Sequence, residues 1–129
     1  MIPLAPVSKK NSQRIAMNNT TGKPFIMQSA AYTEYERSAA YFLRPKPQKP
    51  IGTPVTVRCR FYMPTKRRVD TANLVAAIHD ILVKYGVLED DNRNVIASTD
   101  GTRTLYDKQK PRTEIEIEPY EEDYDVWKS

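Results

Sequence analysis

Residues 55–63 alternate strictly. Val55, Val57, Cys59, Phe61 and Met63 fall on one side of an extended chain, and Thr56, Arg58, Arg60 and Tyr62 fall on the other. A period of two with one apolar side predicts a half-buried strand. Residues 113–118 repeat the pattern, with Ile115 and Ile117 inward and Glu114, Glu116 and Glu118 outward. Between these strands the period changes. At about 100° per residue, Leu74, Ala77, Ile78, Ile81, Leu82 and Tyr85 line up as one stripe, which predicts an amphipathic helix. Apolar or aromatic positions 32, 35, 39, 42 and 43 predict a second helix over residues 30–44. Upstream, residues 8–28 read as an extended segment and hairpin, turning through residues 18–24. The segment PKPQKPIGTP, residues 45–54, holds four prolines and predicts a stiff connector within the domain. Residues 95–97 form a short strand, and Asp100-Gly101 after them predicts a turn. Together these elements predict an α/β fold: a small mixed sheet with two main helices packed on it. One domain should span residues 1–119, and the acidic residues 120–129 should form a frayed tail.

A chain of 129 residues with 40% hydrophobic positions is enough for one modest core. No apolar run approaches the ~20 residues of a membrane span, and the N-terminus lacks a signal peptide's charged start and long apolar centre. One cysteine excludes an intramolecular disulfide framework and suits a reducing cytoplasm. One Cys and one His also exclude a Cys/His zinc site within one chain. The net charge of +4 conceals an asymmetry. Residues 1–68 hold 13 Lys/Arg against 2 Glu, and residues 69–129 hold 7 Lys/Arg against 14 Asp/Glu. An electropositive half beside a carboxylate-rich half suits a metal-dependent nuclease, unless the halves simply pair with each other in the fold.

The chemistry is concentrated in residues 65–92, TKRRVDTANLVAAIHDILVKYGVLEDDN. Lys66, Arg67 and Arg68 lead into Asp70, which opens the central helix. That helix ends at Gly86, and Glu89, Asp90 and Asp91 follow. Carboxylates supply hard oxygen ligands for Mg²⁺ or Mn²⁺, the metal activates a water, and Lys and Arg grip phosphates. Asp70, Asn73, Asp80 and Lys84 fall along one border of the apolar stripe, whereas Ala72 and Ala76 lie beyond it.

This string resembles the RusA family of Holliday junction resolvases. The family pattern has basic residues, then D-x-D-N-L-x-x-K at a helix start, a further Asp, and G-x-x-x-D-D before a strand. Here the match reads Arg67, Arg68, Asp70, Asn73, Leu74, Asp80, Gly86, Asp90 and Asp91. Pro6, Lys10-Asn11-Ser12 and Arg112-Thr113-Glu114 extend it over roughly residues 3–118. The family's second aspartate falls on Ala72 and its helix lysine on Ala76, so neither role is carried over. The resemblance implies a homodimeric endonuclease acting on branched DNA, with Mg²⁺ as cofactor and Mn²⁺ able to substitute. It implies Asp70, Asp80, Asp90 and Asp91 as catalytic residues, with Asp70, Asp90 and Asp91 on the metal and Asn73 in support. DNA would meet Lys9, Lys10, Lys66, Arg67 and Arg68. The setting implied is the cytoplasm of a bacterial host, with a phage or prophage origin.

Each candidate also has a plainer reading. Asp70 sits where a helix N-cap would. Asp80 and Lys84 form an i,i+4 pair, and Lys84 or a lysine from the 66–68 loop could stand in for position 76. With alanine at 72 and 76, a metal site could shift toward Asp80, Asp90 and Asp91, or those three could be structural. Cys59 reads as an inert buried thiol, and His79 as a surface or interface residue. Glu114, Glu116 and Glu118 could pair with Arg58 and Arg60 if their strands are neighbours. Asp100 could add a carboxylate, and Arg103 or Arg112 could hold a phosphate. The two alanines motivate an alternative function: a junction-binding protein of the same fold that has lost cleavage.

Overall fold

The computed structural model describes residues 1–8, 13–17 and 20–121, with backbone only at residues 13–17 and 25–28. Its organising element is β3 (Val55–Met63), the alternating strand. β6 (Arg112–Pro119) runs antiparallel along one whole edge of β3, from the pair Val55 and Pro119 to the pair Tyr62 and Arg112. β4 (Ile96–Ser98) and β5 (Arg103–Tyr106) both run parallel to β3. Thr56 and Arg60 already face Glu118 and Glu114 of β6, yet also face Ser98 and Arg103. β4 and β5 therefore share the other edge of β3, as two segments of one interrupted line.

The interruption is residues 99–102. Thr102 N–H donates to the Thr99 carbonyl at 3.1 Å, and Gly101 lies at φ +84, a conformation that favours glycine. A Cβ at Gly101 would also collide with the Arg58 side chain. The Thr102 hydroxyl accepts the Cys59 N–H at 3.1 Å, so a side chain replaces the ladder carbonyl that the turn removes. β5 itself was not foreseen in the sequence reading. It is four residues long and only half-buried.

Parallel strands need a crossover, and α2 (Thr71–Lys84) supplies it between β3 and β4. Its stripe is buried as expected: Leu74, Ala77, Ile78, Ile81 and Leu82 are each at most 1% exposed. Leu74, Ile78, Ile81 and Leu82 join one core cluster with Val55, Val57, Cys59 and Phe61 of β3, together with Tyr35, Ala39 and Leu43. Burial pushes the Cys59 thiol up to about 12, so it is the inert core thiol expected. α1 (Ala30–Tyr41) opens on Ser29, whose Oγ accepts the Tyr32 N–H at 3.1 Å, and ends three residues earlier than the apolar spacing suggested. Pro45 lies just beyond, and a proline cannot continue a helix. β1 (Gln13–Met17) and β2 (Pro24–Gln28) form the expected antiparallel hairpin as a separate two-stranded sheet. The result is a small mixed α/β fold with two helices.

The sheet face away from the helices is charged. Arg58 pairs with Glu116 at 2.9 Å and Glu118 at 3.1 Å, and Arg60 pairs with Glu116 at 2.7 Å. Here the basic and acidic halves of the chain neutralise each other, so Arg58 and Arg60 are committed to the fold.

Candidate functional site

α2 distributes the candidate residues between its two ends. At the N-terminal end Asp70 is the N-cap, in extended conformation, and its Oδ1 accepts the Ala72 N–H at 3.0 Å. Capping and chemistry are compatible, because Asp70 is exposed and its Oδ2 takes no hydrogen bond from the described residues. Asn73 sits half-buried in the same turn, its N–H donating to the Asp70 carbonyl at 3.1 Å. The Thr71 and Thr104 hydroxyls lie 2.6 Å apart, which fastens this end of the helix to β5. Lys66, Arg67 and Arg68 are exposed in the preceding loop and form no ion pair among the described residues. Lys66 Nζ stands 5.1 Å from the centroid of the Tyr106 ring, which is 47% exposed.

At the C-terminal end, Gly86 at φ +81 lets the chain leave the helix. The N–H groups of Val87 and Leu88 return to the Leu82 carbonyl at 2.9 and 3.1 Å. Leu88 then bridges to Ile51, and Glu89 packs so tightly on Gly52 that a Cβ there would collide with its carboxylate. Asp90 turns both oxygens to its own loop: Oδ1 accepts the Asp91 N–H at 2.7 Å and Oδ2 accepts the Asn92 side chain at 3.0 Å. The Asp91 amide, above all, holds the Asp90 carboxyl below the usual range. Asp91 is exposed, and its charge reaches His79 in the C-terminal half of α2. His79 is half-buried and its Nε2 is shielded from solvent without a hydrogen-bond partner. Burial lowers its proton affinity, against the opposing pull of Asp91 and Asp80.

Several of the remaining candidates are engaged elsewhere. Lys84 pairs with Glu36 of α1, whose Oε1 also accepts the Tyr85 hydroxyl at 3.2 Å. This corrects the expected Asp80–Lys84 pair and removes Lys84 as a stand-in for position 76: the neighbouring helix offers it a carboxylate first. Asp80 is half-buried and its charge acts on Tyr32 of α1, whose hydroxyl is pushed up mainly by burial, then by Glu36, then by Asp80. Arg112 bonds Asp107 at 2.9 Å and Glu114 at 2.8 Å and lies 3.7 Å from the Tyr62 ring centroid, so it is not an open phosphate site. Asp100 sits in the turn held by Arg58, whose Nε donates to its carbonyl at 3.0 Å. Arg103 is exposed, opposite Arg60 in register. Lys9 and Lys10, Asn11 and Ser12, and residues 122–129 of the tail lie outside the described residues.

The carboxylates do not converge. α2 has 14 residues, about 20 Å at ~1.5 Å per residue, with Asp70 before its start and Asp90 and Asp91 beyond its end. Among the described residues no group of three or more His, Cys, Asp or Glu could hold a metal ion. Asp70, Asp90 and Asp91 of one chain, as placed, do not fit a common divalent ion. Sequence reasoning also missed Tyr106 and Glu36. The alternation of Arg103, Thr104, Leu105 and Tyr106 was the available signal for the first, and nothing local pointed to the second.

The central helix of this mixed α/β domain is thus preceded by a loop of exposed cations and followed by an acidic loop. The family model for endodeoxyribonuclease RusA matches residues 3–118, and the chain belongs to the RusA family. That is a family of Holliday junction resolvases acting on branched DNA. No curated protein matches the chain. Among the described residues no helix is long and apolar enough to cross a membrane.

Proposed function

We propose that this protein resolves four-way DNA junctions by paired nicks, as a homodimeric endodeoxyribonuclease that requires Mg²⁺ and accepts Mn²⁺. The observation that carries this reading is the family match, which runs through residues 65–92 and spans nearly the whole chain. Residues 1–119 do the work and residues 120–129 are an appendage, in the cytoplasm of a bacterial host. Lys66, Arg67 and Arg68, with Lys9 and Lys10, hold phosphates. Asp70 and Asp91 are the metal-binding and catalytic carboxylates, because both are exposed. Asp90 holds the loop and so orients its neighbour, Asp80 supports the centre from α2, and Asn73 steadies Asp70. The test is cleavage of a labelled synthetic four-way junction with Mg²⁺ and with Mn²⁺, against linear duplex. Symmetric nicks abolished by a chelator are expected.

A second reading has its own observation: Ala72 and Ala76 stand exposed on α2, where the family pattern has an acid and a base. Tight, salt-sensitive junction binding without nicks in either metal would favour a protein that binds but no longer cuts.

A further inference from the structure

Tyr106 is 47% exposed, and among the described residues no other ring packs on it. Its backbone is nonetheless fixed from both sides. Tyr106 pairs in register with Met63 of β3, and the Asp107 N–H that follows donates to the Met63 carbonyl at 2.9 Å. Asp107 in turn accepts the Gln109 and Lys110 N–H groups, each at 3.1 Å, and holds Arg112 at 2.9 Å. A ring on so constrained a backbone gives up little freedom when it binds. Side chains two apart on a strand share a face, so Tyr106 stands on the side of the sheet that carries Thr104. The Thr71–Thr104 contact puts Asp70 and the start of α2 on that side too. Two residues of strand span about 7 Å, which matches about two base steps of one DNA strand at ~3.4 Å each.

The charges around the ring are positive. Lys66 Nζ reaches it at 5.1 Å. Lys108 and Lys110, exposed in the turn after β5, form no ion pair among the described residues. The acid of that turn, Asp107, is taken up by Arg112 and the turn's own amides. Cations grip the phosphates of a strand and exposed rings stack its bases, a combination that recognises opened or single-stranded nucleic acid. An intact duplex hides the faces of its bases, so such a ring finds a partner where bases leave the stack. The branch point of a junction is such a place. On the reading of this protein as a junction nuclease, we infer that Tyr106, with Lys66 beside it, is a platform on which an unpaired base at the branch point stacks. The phosphate next to that base then lies at Asp70. Stacking fixes the register of the strand, so the platform sets where the nick falls relative to the branch.

The test is photocrosslinking of the wild-type protein, without divalent metal, to four-way junctions carrying iododeoxyuridine either at the branch point or within an arm. On irradiation this base analogue crosslinks to an aromatic side chain stacked on it, and peptide mass spectrometry identifies the side chain. Crosslinking to Tyr106 from the branch point and not from the arm is expected. No crosslink at Tyr106, or equal crosslinking from the arm, overturns the inference. Tyr106→Ala should weaken junction binding at least about five-fold and leave the binding of linear duplex unchanged. Tyr106→Phe, which keeps the ring, should bind junctions as the wild type does. A Tyr106→Phe protein as weak as Tyr106→Ala would assign the role to the hydroxyl and overturns the platform. A Tyr106→Ala protein with altered sedimentation and unaltered junction binding would give the ring to a protein contact, and overturns it as well. A wild type that crosslinks through Tyr106 at the branch point yet never nicks with Mg²⁺ or Mn²⁺ would sink the nuclease reading and keep the platform. A wild type that nicks junctions, with no crosslink at Tyr106, would do the reverse.

Discussion

The two ends of α2 are secured by opposite means. The N-terminal end is tied down by side chains, through the Asp70 cap and the contact between Thr71 and Thr104. Its cations are left open to solvent. The C-terminal end is tied down by backbone, through the returns to the Leu82 carbonyl and the bridge between Ile51 and Leu88. Its acidic loop is held by its own bonds, and Asp90 spends both oxygens on them. The difference teaches where reactivity resides. An acid used to shape a loop has little left for a ligand, whereas a cap uses one oxygen and leaves the other.

The largest effect should come from the element both ends depend on. Ile78→Ala empties a site 1% exposed beneath the middle of α2, and urea denaturation should show a loss of about 2–5 kcal/mol. Both ends should fail together. Next come the carboxylates. Asp70→Asn and Asp91→Asn should each lower junction cleavage by about 100-fold or more, beyond the 10–100-fold typical of groups that only support a ligand. Neither should shift the melting temperature much, since Asn caps a helix about as well as Asp at position 70 and Asp91 is exposed. If only one of the two matters, the ends do not share a chemistry. Asp70→Ala separates the two roles of that residue, adding a stability loss of about 1 kcal/mol that Asp70→Asn lacks.

Smaller effects sharpen the electrostatic contrast. Lys66→Ala should reduce the salt dependence of junction binding by about one unit of slope. Arg112→Ala should leave that slope unchanged, because its guanidinium is already held by Asp107 and Glu114. Equal slopes for both variants would show that the 66–68 loop does not meet phosphate. The smallest effect concerns His79. Burial lowers its pKa in the fold, so the unfolded chain takes up a proton first as pH falls through about 6.5. Stability is therefore full above that value and declines below it, until the folded form also protonates. His79→Gln should flatten this part of a pH-dependent unfolding curve.

Much of the fold was legible because its signals are local. The alternation of residues 55–63, the stripe from Leu74 to Leu82 and the prolines after residue 44 each report a period or a forbidden conformation. β5 escaped because a half-buried strand of four residues carries too little pattern to stand out from the turn before it. The pairing of Arg58 and Arg60 with the β6 glutamates was legible only as a condition on strand order. The structure meets that condition.

The sequence by itself determined the elements, the cap at Asp70, the inert Cys59 and the residues that place the chain in its family, since periodicity, capping and motif spacing are properties of neighbouring positions. Only the tertiary structure decided which charges are free. Lys84 was lost to Glu36 and Arg112 to Asp107 and Glu114, while Lys66, Arg67 and Arg68 kept no acid partner among the described residues. It also decided that Asp90 turns both oxygens to its own loop. Coulombic pairing and metal binding depend on distances of a few ångströms through space, and separation along the chain does not fix them.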